Sequence, residues 1–285
     1  MTLRLAAVME EWLAGWRSDL TPAWRDVFAE FELPLGAIDP ALLIEASEPI
    51  YPSRRRKALQ GAPEGAHLFR AFDELAPKDV RCVLLGQDPY PDIGFSTGRA
   101  FEAGAYSCWS GLGSMPSHSM RSLIQCVYAA RLDDPGYAVD TAQWPRTLAA
   151  ISDPANGFAG PQQLAQEWVD QGVLLLNASL TISRFSVSGH PHQVDGHIPL
   201  WRPFVARVIR HLADSGRPVV FGLFGEAAWA AAAAAGLGVS SNGGSQLPVF
   251  ATLHPAAGDD FLGRPNPFVE CNRQLAALGE PPIYW

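Results

Sequence analysis

Residues 80–90 decide the fold class, and they read Val-Arg-Cys-Val-Leu-Leu-Gly-Gln-Asp-Pro-Tyr. The run at 80–85 is strand-length and almost entirely apolar, as expected of a strand buried on both faces of a parallel sheet. Similar runs stand at 173–176, 218–224 and 248–253. Helices are predicted between the runs, near residues 119–131, 161–170, 200–213, 226–236 and 267–278. This alternation predicts an α/β fold with three α/β/α layers around a central, mostly parallel four-stranded sheet.

The N-terminal part, residues 1–75, shows helical periodicity in pieces. A four-residue spacing relates Val8, Trp12 and Trp16, and a second apolar cluster follows Thr21-Pro22, a plausible helix start. We therefore expect a helical N-terminal part followed by an α/β core over 80–285. No internal repeat or linker divides the chain, so we predict a single domain over 1–285.

Composition limits the classes of partner. The chain has 285 residues, of which 48% are hydrophobic, so it can build a sizeable core. Its net charge of −8 provides no overall attraction to polyanions, so a nucleic acid would have to bind in a local basic groove. The densest positive charge lies at residues 54–57, and such charge runs are usually solvated surface turns.

The cysteines and the N-terminus indicate where the protein works. Four cysteines are scattered with no C-x-x-C pair, which argues against zinc ribbons, iron–sulfur clusters and a disulfide framework. The N-terminus has no apolar segment typical of a signal peptide, and no run is long enough to span a membrane. We expect a cytoplasmic protein without membrane association.

Polar side chains follow three of the predicted strands. Asp88 comes shortly after the first run, Asn177 directly after the second and His254 directly after the fourth. Because ligands of open α/β sheets bind at the carboxyl ends of the strands, we expect these three residues to share one cleft. A carboxylate, an amide and an imidazole together suit a polar, planar substrate.

Two other motifs suggest different chemistry. Residues 94–98 match the G-x-S-x-G nucleophile elbow of serine hydrolases, with Ser96 as the nucleophile, but the proline-containing residues before it cannot form the strand that this elbow needs. His190, His192 and His197 could ligate a metal, although no helix fixes their spacing and no cysteine joins them. A surface or supporting role is the simpler interpretation of these histidines.

Gly-Gln-Asp-Pro-Tyr at 86–90 resembles the first active-site motif of family 1 uracil-DNA glycosylases, G-Q-D-P-Y-H. Further segments resemble that family in the same order. Residues 174–181 are similar to its L-L-L-N-x-x-L-T segment, residues 252–255 to the start of its H-P-S-P-L-S loop, and residues 282–285 to its closing P-I-D-W. The resemblance covers the chain from about residue 20 to its end.

The resemblance implies a role for each matching residue. Asp88 would activate the water that attacks the deoxyribose C1′, and His254, kept neutral, would donate to uracil O2. Asn177 would read the uracil edge, Phe101 would stack on the flipped base, and Tyr90 would exclude the methyl group of thymine. Gln87 belongs to the same implied uracil-binding set.

The implied function is DNA repair. Such an enzyme hydrolyses the N-glycosidic bond of deoxyuridine in single- or double-stranded DNA, releases uracil and leaves an abasic site, without metal or cofactor and as a monomer. An alternative is a non-hydrolysing binder of uracil-containing or abasic DNA. A remote alternative is a serine hydrolase that uses Ser96.

The sequence departs from the family pattern mainly in the loops that grip DNA. Pro91 replaces the histidine of the first motif, and Glu226 and Ala256 replace two serines that contact phosphates. Gly258 stands where the family has an intercalating leucine, in a loop that is also shorter. The catalytic pocket therefore looks intact, whereas the DNA-gripping loops do not.

Other residues are candidates for holding DNA. Phosphate contacts are expected from Arg54, Arg55, Arg56, Arg121, Arg184 and the hydroxyl of Ser119. A longer segment between Phe101 and Ser119 carries Tyr106, Trp109, Leu112 and Met115. We expect Trp109 and Leu112 either to supply the missing intercalating wedge or to pack this segment onto the domain.

Overall fold

Six strands form two separate sheets in the computed structural model, which describes residues 1–104, 106–114, 118–238 and 248–285. The strands are β1 (Thr2–Arg4), β2 (Leu43–Glu45), β3 (Cys82–Gly86), β4 (Val173–Asn177), β5 (Val220–Phe224) and β6 (Val249–Thr252). The larger sheet has the order β4-β3-β5-β6, and all of its strands are parallel. The predicted four-stranded parallel sheet is confirmed.

Burial explains why the four apolar runs form this sheet. Every residue of β3, β4 and β5 is buried, as expected when helices cover both faces. The register of β3 and β4 pairs Gly86 with Asn177, so the last residues of these strands lie side by side. The polar residues that follow the strands are thereby brought to one edge of the sheet.

Nine α-helices are described. They are α1 (Leu5–Leu13), α2 (Pro22–Val27), α3 (Ser119–Leu132), α4 (Trp144–Ser152), α5 (Pro161–Asp170), α6 (Ile198–Ala213), α7 (Glu226–Ala234), α8 (Asp259–Leu262) and α9 (Pro267–Ala277). On one side of the sheet α5 contacts α9 through Trp168 and Phe268, whose rings lie 6.1 Å apart. The helices α6 and α7 contact each other and form the other layer, together with the N-terminal helices. No described helix has the length and apolar character that crossing a membrane requires.

The N-terminal part differs from its prediction in two ways. The buried face of α1 carries Leu5, Met9 and Leu13, whereas Val8 and Trp12 are only partly buried, so the four-residue spacing holds but the buried face is a different one. The strands β1 and β2 pair antiparallel, which was not predicted. Each has three residues, too few for an alternating pattern, and about forty residues separate them.

One hydrophobic cluster contains residues of the N-terminal part and of the α/β core. Its clearest contact is between Phe28, just after α2, and Phe204 of α6, whose rings are stacked with centroids 4.0 Å apart. Trp16 packs edge-on against both rings. Such aromatic contacts anchor the N-terminal segment to the layer behind the sheet.

Candidate active site

A cavity of about 500 Å³ opens at the carboxyl ends of β3, β4 and β6. Asp88, Asn177 and His254 all line it, although up to 166 positions separate them in the sequence. Their convergence follows from the parallel sheet, because each side chain stands at or just beyond the end of its strand. Gln87, Tyr90, Phe101 and Ser119 line the same cavity.

Gly86 makes room for the floor of this cavity. A Cβ atom at this position would lie 2.8 Å from Asn177 Oδ1 and 3.2 Å from the Phe101 ring, closer than ordinary contact. The amide and the aromatic ring therefore approach each other across a backbone without a side chain. Phe101 adopts φ +59°, a conformation that is rare for a bulky residue and that costs about 1–3 kcal/mol. An aromatic ring and an amide so placed can stack on a planar base and read its edge.

Asp88 is held by two amide donors. Gln87 Nε2 and Gln193 Nε2 both donate to Oδ2, at 3.1 and 3.0 Å. Burial raises the pKa of Asp88 above that of an ordinary aspartate, and the two hydrogen bonds oppose part of that rise. Within the described ranges, the hydrogen bonds to this carboxyl group all end on Oδ2, so Oδ1 remains available to orient a water molecule.

Gln193 is a functional candidate that sequence reasoning missed. It is buried, and its Oε1 accepts from the backbone N–H groups of Ser186 and His190, at 3.0 and 2.9 Å. It lies in a π-helical turn, His192–His197, that precedes α6. The only sequence signal near it is the histidine-rich segment, and nothing in that segment indicates a contact with Asp88, 105 residues earlier.

His254 is arranged to donate rather than to accept. Burial lowers the pKa of its imidazole, so the ring is neutral near pH 7. Its Nδ1 accepts from the backbone N–H of Ala256 at 3.2 Å, which leaves the proton on Nε2. Gly225 allows this placement: it has φ +87°, and a Cβ there would lie 2.9 Å from His254 Cβ. A neutral N–H donor is therefore available to the cavity.

The phenol of Tyr90 forms part of the wall. Burial raises the pKa of Tyr90 to about 12, and a hydrogen bond with Ser119 opposes part of this rise. The ring is therefore un-ionised at neutral pH. Because Ser119 is buried at the start of α3 and engaged with Tyr90, it helps to fix this wall.

Four of the five arginines expected to hold phosphates are engaged within the protein, and the fifth, Arg56, is exposed. Arg54 is 8% exposed and forms a buried ion pair with Asp19, so its prediction as a phosphate contact is wrong. The structure shows three further pairings, between Arg55 and Asp73, between Arg184 and both carboxylate oxygens of Glu48, and between Arg121 and the carbonyl oxygen of Leu112. These side chains are fixed by internal partners, which sequence alone did not indicate.

Of the two roles left open for the segment before α3, wedge or packing, its side chains fit packing. Trp109 and Leu112 are 4% and 0% exposed, and Trp109 Nε1 donates to the carbonyl oxygen of Ala159 at 2.8 Å. Neither side chain can enter a base stack without leaving the core, so the packing interpretation replaces the wedge. Met115 lies outside the described residues.

Two histidines of the histidine-rich segment form hydrogen bonds to other parts of the chain. His192 and His197 both bond to Ser183 Oγ, at 2.8 and 2.9 Å, and their other ring nitrogens contact the Leu43 carbonyl oxygen and Thr181 Oγ1. Burial lowers the pKa of His197 to about 3. With both nitrogens of each ring occupied, neither histidine is placed to ligate a metal, and the described residues contain no cluster of metal-binding side chains.

Ser96 lacks the surroundings of a nucleophile. It is 2% exposed, and its hydroxyl oxygen has no hydrogen-bond partner among the described residues, so no base activates it. The residues before it do not form a strand. The geometry therefore does not support the serine hydrolase alternative.

Comparison with known proteins agrees with this geometry. The family model of the uracil DNA glycosylase superfamily matches residues 72–276. A uracil-DNA glycosylase of Lacticaseibacillus casei is 31% identical over 78% of this chain and 79% of its own length, and that of Exiguobacterium sibiricum is 29% identical over 78% and 83%. The crystal structure of wild-type UNG from Nitratifractor salsuginis superposes with a TM-score of 0.58 at 22% identity, over 97% of each chain. The chain belongs to the uracil-DNA glycosylase superfamily.

Proposed function

We propose that this chain is a DNA repair glycosylase that releases uracil from DNA by hydrolysing the N-glycosidic bond of deoxyuridine. The observation that carries the proposal is the convergence of Asp88, Asn177 and His254 on the cavity that also contains the Phe101 ring. Relatives named uracil-DNA glycosylase, about 30% identical over most of the chain, support the same activity.

Base recognition would take place on the floor of the cavity. The Phe101 ring stacks on a base that has been flipped out of the DNA, and Asn177 accepts from uracil N3–H and donates to O4. Cytosine presents an acceptor at N3 and a donor at its exocyclic amine, so both groups would face a like group of an Asn177 amide in this orientation. Tyr90 crowds the C5 position and excludes the methyl group of thymine.

Hydrolysis would then need a base and a donor on opposite sides of the scissile bond. Asp88 orients a water molecule through Oδ1, accepts its proton and promotes attack on C1′, while the bond from C1′ to uracil N1 breaks. The electron pair of that bond leaves with uracil as an anion, and the Nε2–H of His254 stabilises the negative charge that develops on O2. The uracil anion then takes up a proton and Asp88 releases the one it accepted, so the products are free uracil and an abasic site.

We extend the proposal to the partner and the setting. Uracil-containing DNA, single- or double-stranded, is the proposed substrate, and uracil is a product. The protein is proposed to act as a monomer in the cytoplasm, without a cofactor. Because the net charge is −8, binding to DNA would depend on local contacts around the cavity.

Uracil release from oligonucleotides that contain one deoxyuridine tests the proposal, with thymine and cytosine at the same position as controls. We expect release from the uracil substrates alone. Tight binding of uracil-containing DNA without release at micromolar enzyme would instead favour the non-hydrolysing binder. The chain with Asp88→Asn separates true turnover from a contaminating glycosylase, because contamination would survive that substitution.

A further inference from the structure

The loop after His254 has little to insert into DNA. Its described residues before α8 are Pro255, Ala256, Ala257 and Gly258, and Asp259 is occupied as an acceptor for the backbone N–H of Thr141 at 2.7 Å. A base that flips out of a duplex leaves a gap in the stack, and an apolar side chain that fills the gap offsets part of the unstacking cost. This loop offers only small side chains for that purpose.

Another loop carries large apolar side chains at the rim of the same cavity. Phe185 is 41% exposed and Val187 is 97% exposed, and both line the cavity that contains Asp88. A valine that is almost completely exposed makes no contribution to the core. Two such side chains, adjacent on one rim of a binding cavity, indicate a surface that becomes covered when the ligand is present.

The base of this loop is fixed, although its tip is exposed. Ser183 is anchored by His192 and His197, and Arg184 by both carboxylate oxygens of Glu48. Further along, Gln193 Oε1 accepts from two backbone N–H groups of the loop. A tip presented by such a frame loses little conformational entropy when it binds.

We propose that Phe185 and Val187 form the wedge that enters the DNA base stack beside the flipped deoxyuridine. The occupant of this apolar surface is the pair of nucleobases that flank the flipped nucleotide, because the surface is continuous with the cavity that receives the base. The inference rests on the proposed uracil-releasing function. It assigns the wedge to the loop over 183–190. Gln193 forms hydrogen bonds both to the backbone of this loop and to Asp88.

Single-turnover cleavage of matched duplex and single-stranded DNA tests the wedge, because a single strand has no paired stack to open. The variant carries Phe185→Ala together with Val187→Ala, and Val269→Ala on α9 is the control, since Val269 is 49% exposed and lies outside the cavity lining. We expect the double variant to lose at least about tenfold in rate on duplex DNA and less than about threefold on the single strand. The control should match the unchanged protein on both.

A second measurement reads the stack directly. Fluorescence of 2-aminopurine placed next to the deoxyuridine increases when the stack opens, and Asp88→Asn keeps the DNA uncleaved during the measurement. Adding the two alanine substitutions should abolish most of this increase in duplex DNA. Equal rate losses on both substrates, or an unchanged fluorescence increase, would overturn the wedge alone. Absence of uracil release by the unchanged protein from either substrate would overturn the proposed function and the wedge with it.

Discussion

The floor and the rim of the cavity are built in different ways. The floor consists of residues at the ends of parallel strands, where Gly86 and Asn177 lie in register and His254 follows the edge strand β6. The rim consists of loops whose positions depend on side-chain bonds between distant parts of the chain, such as Arg184 to Glu48. The backbone ladder of the sheet thus orients the chemistry of the floor, whereas pairwise side-chain bonds orient the surface that would meet DNA.

This difference determines what a substitution should do. On the floor, a change that preserves shape should alter catalysis and leave DNA binding intact. On the rim, a change should alter binding, opening of the duplex or stability, and leave the chemistry of a bound base intact. Each experiment below distinguishes these outcomes.

The largest effect is expected from the two groups proposed to act on the bond. Asp88→Asn and His254→Ala should each lower the single-turnover rate by about 10²–10³-fold, since one removes the base and the other the donor to O2. Affinity for uracil DNA, measured by fluorescence anisotropy, should change little. Near-normal turnover in either variant would show that its proposed role is wrong.

The next effect concerns which base is accepted. Asn177→Asp should reduce uracil release by about 10–100-fold, because a carboxylate opposite O4 leaves two acceptors facing each other. Release of cytosine should appear, since its exocyclic amine can donate to the carboxylate. Asn156→Asp is the matched control, as Asn156 is exposed and its side-chain amide donates to the carbonyl oxygen of Ala150, outside the cavity lining. Unchanged preference for uracil would contradict the edge-reading role.

A smaller effect with a characteristic pH signature is expected at Gln193. Asp88 must be ionised to accept a proton, so kcat/KM falls as the pH decreases through its pKa, which burial has raised. Gln193→Leu removes a hydrogen bond that favours the ionised form, and it should therefore move this acid limb to higher pH and lower the neutral rate by about tenfold.

The control for Gln193 is Gln163→Leu, which removes an exposed amide-to-carboxylate bond to Glu167 on α5. It should leave the pH profile unchanged. If Gln193→Leu lowered the rate at every pH by the same factor, without moving the acid limb, Gln193 would support the fold and not the ionisation of Asp88.

The smallest effect on DNA binding is expected at Arg54, despite its place in the most basic run of the sequence. Arg54→Met leaves the buried carboxylate of Asp19 unpaired and should lower the free energy of unfolding by about 3–5 kcal/mol. Below the unfolding transition, affinity for uracil DNA and its salt dependence should stay the same. Arg56→Met, at an exposed neighbour, should show no loss of stability. Weaker DNA binding by Arg54→Met, with unchanged stability, would show that Arg54 contacts DNA after all.

How far the sequence predicted the structure differs between these two regions. The proximity of Asp88, Asn177 and His254 was predicted from one rule, that parallel strands place their carboxyl ends at one edge of the sheet. Each of the three residues closely follows an apolar run. The four strands and five of the helices were predicted because long apolar runs and the periodic segments between them leave a strong signal in the sequence. The helices α4 and α8 and the short strands β1 and β2 were missed, because brief elements leave a weak periodic signal.

The structure of the rim was not predicted, because the hydrogen-bond and ion-pair partners of its side chains are remote in the sequence. Gln193 bonds to a carboxylate 105 positions away, and Arg54 to one 35 positions away. A charged or amide side chain shows its type in the sequence but not its partner, so the arginines were interpreted as free cations and Gln193 was overlooked. That residues 1–285 fold as one domain stays a prediction, although one core contains residues of both parts.

The amide of Gln193 has a thermodynamic consequence. One side chain holds the loop backbone through its oxygen and Asp88 through its nitrogen. The position of the loop and the protonation of Asp88 are therefore linked equilibria. A shift of the loop that weakens the bond to Asp88 also raises the affinity of that carboxylate for a proton. The coupling is reciprocal. If a ligand moves the loop and thereby changes the proton affinity of Asp88, protonation of Asp88 changes the affinity for that ligand by the same factor. Acidification would therefore affect how DNA is held as well as whether its base is removed.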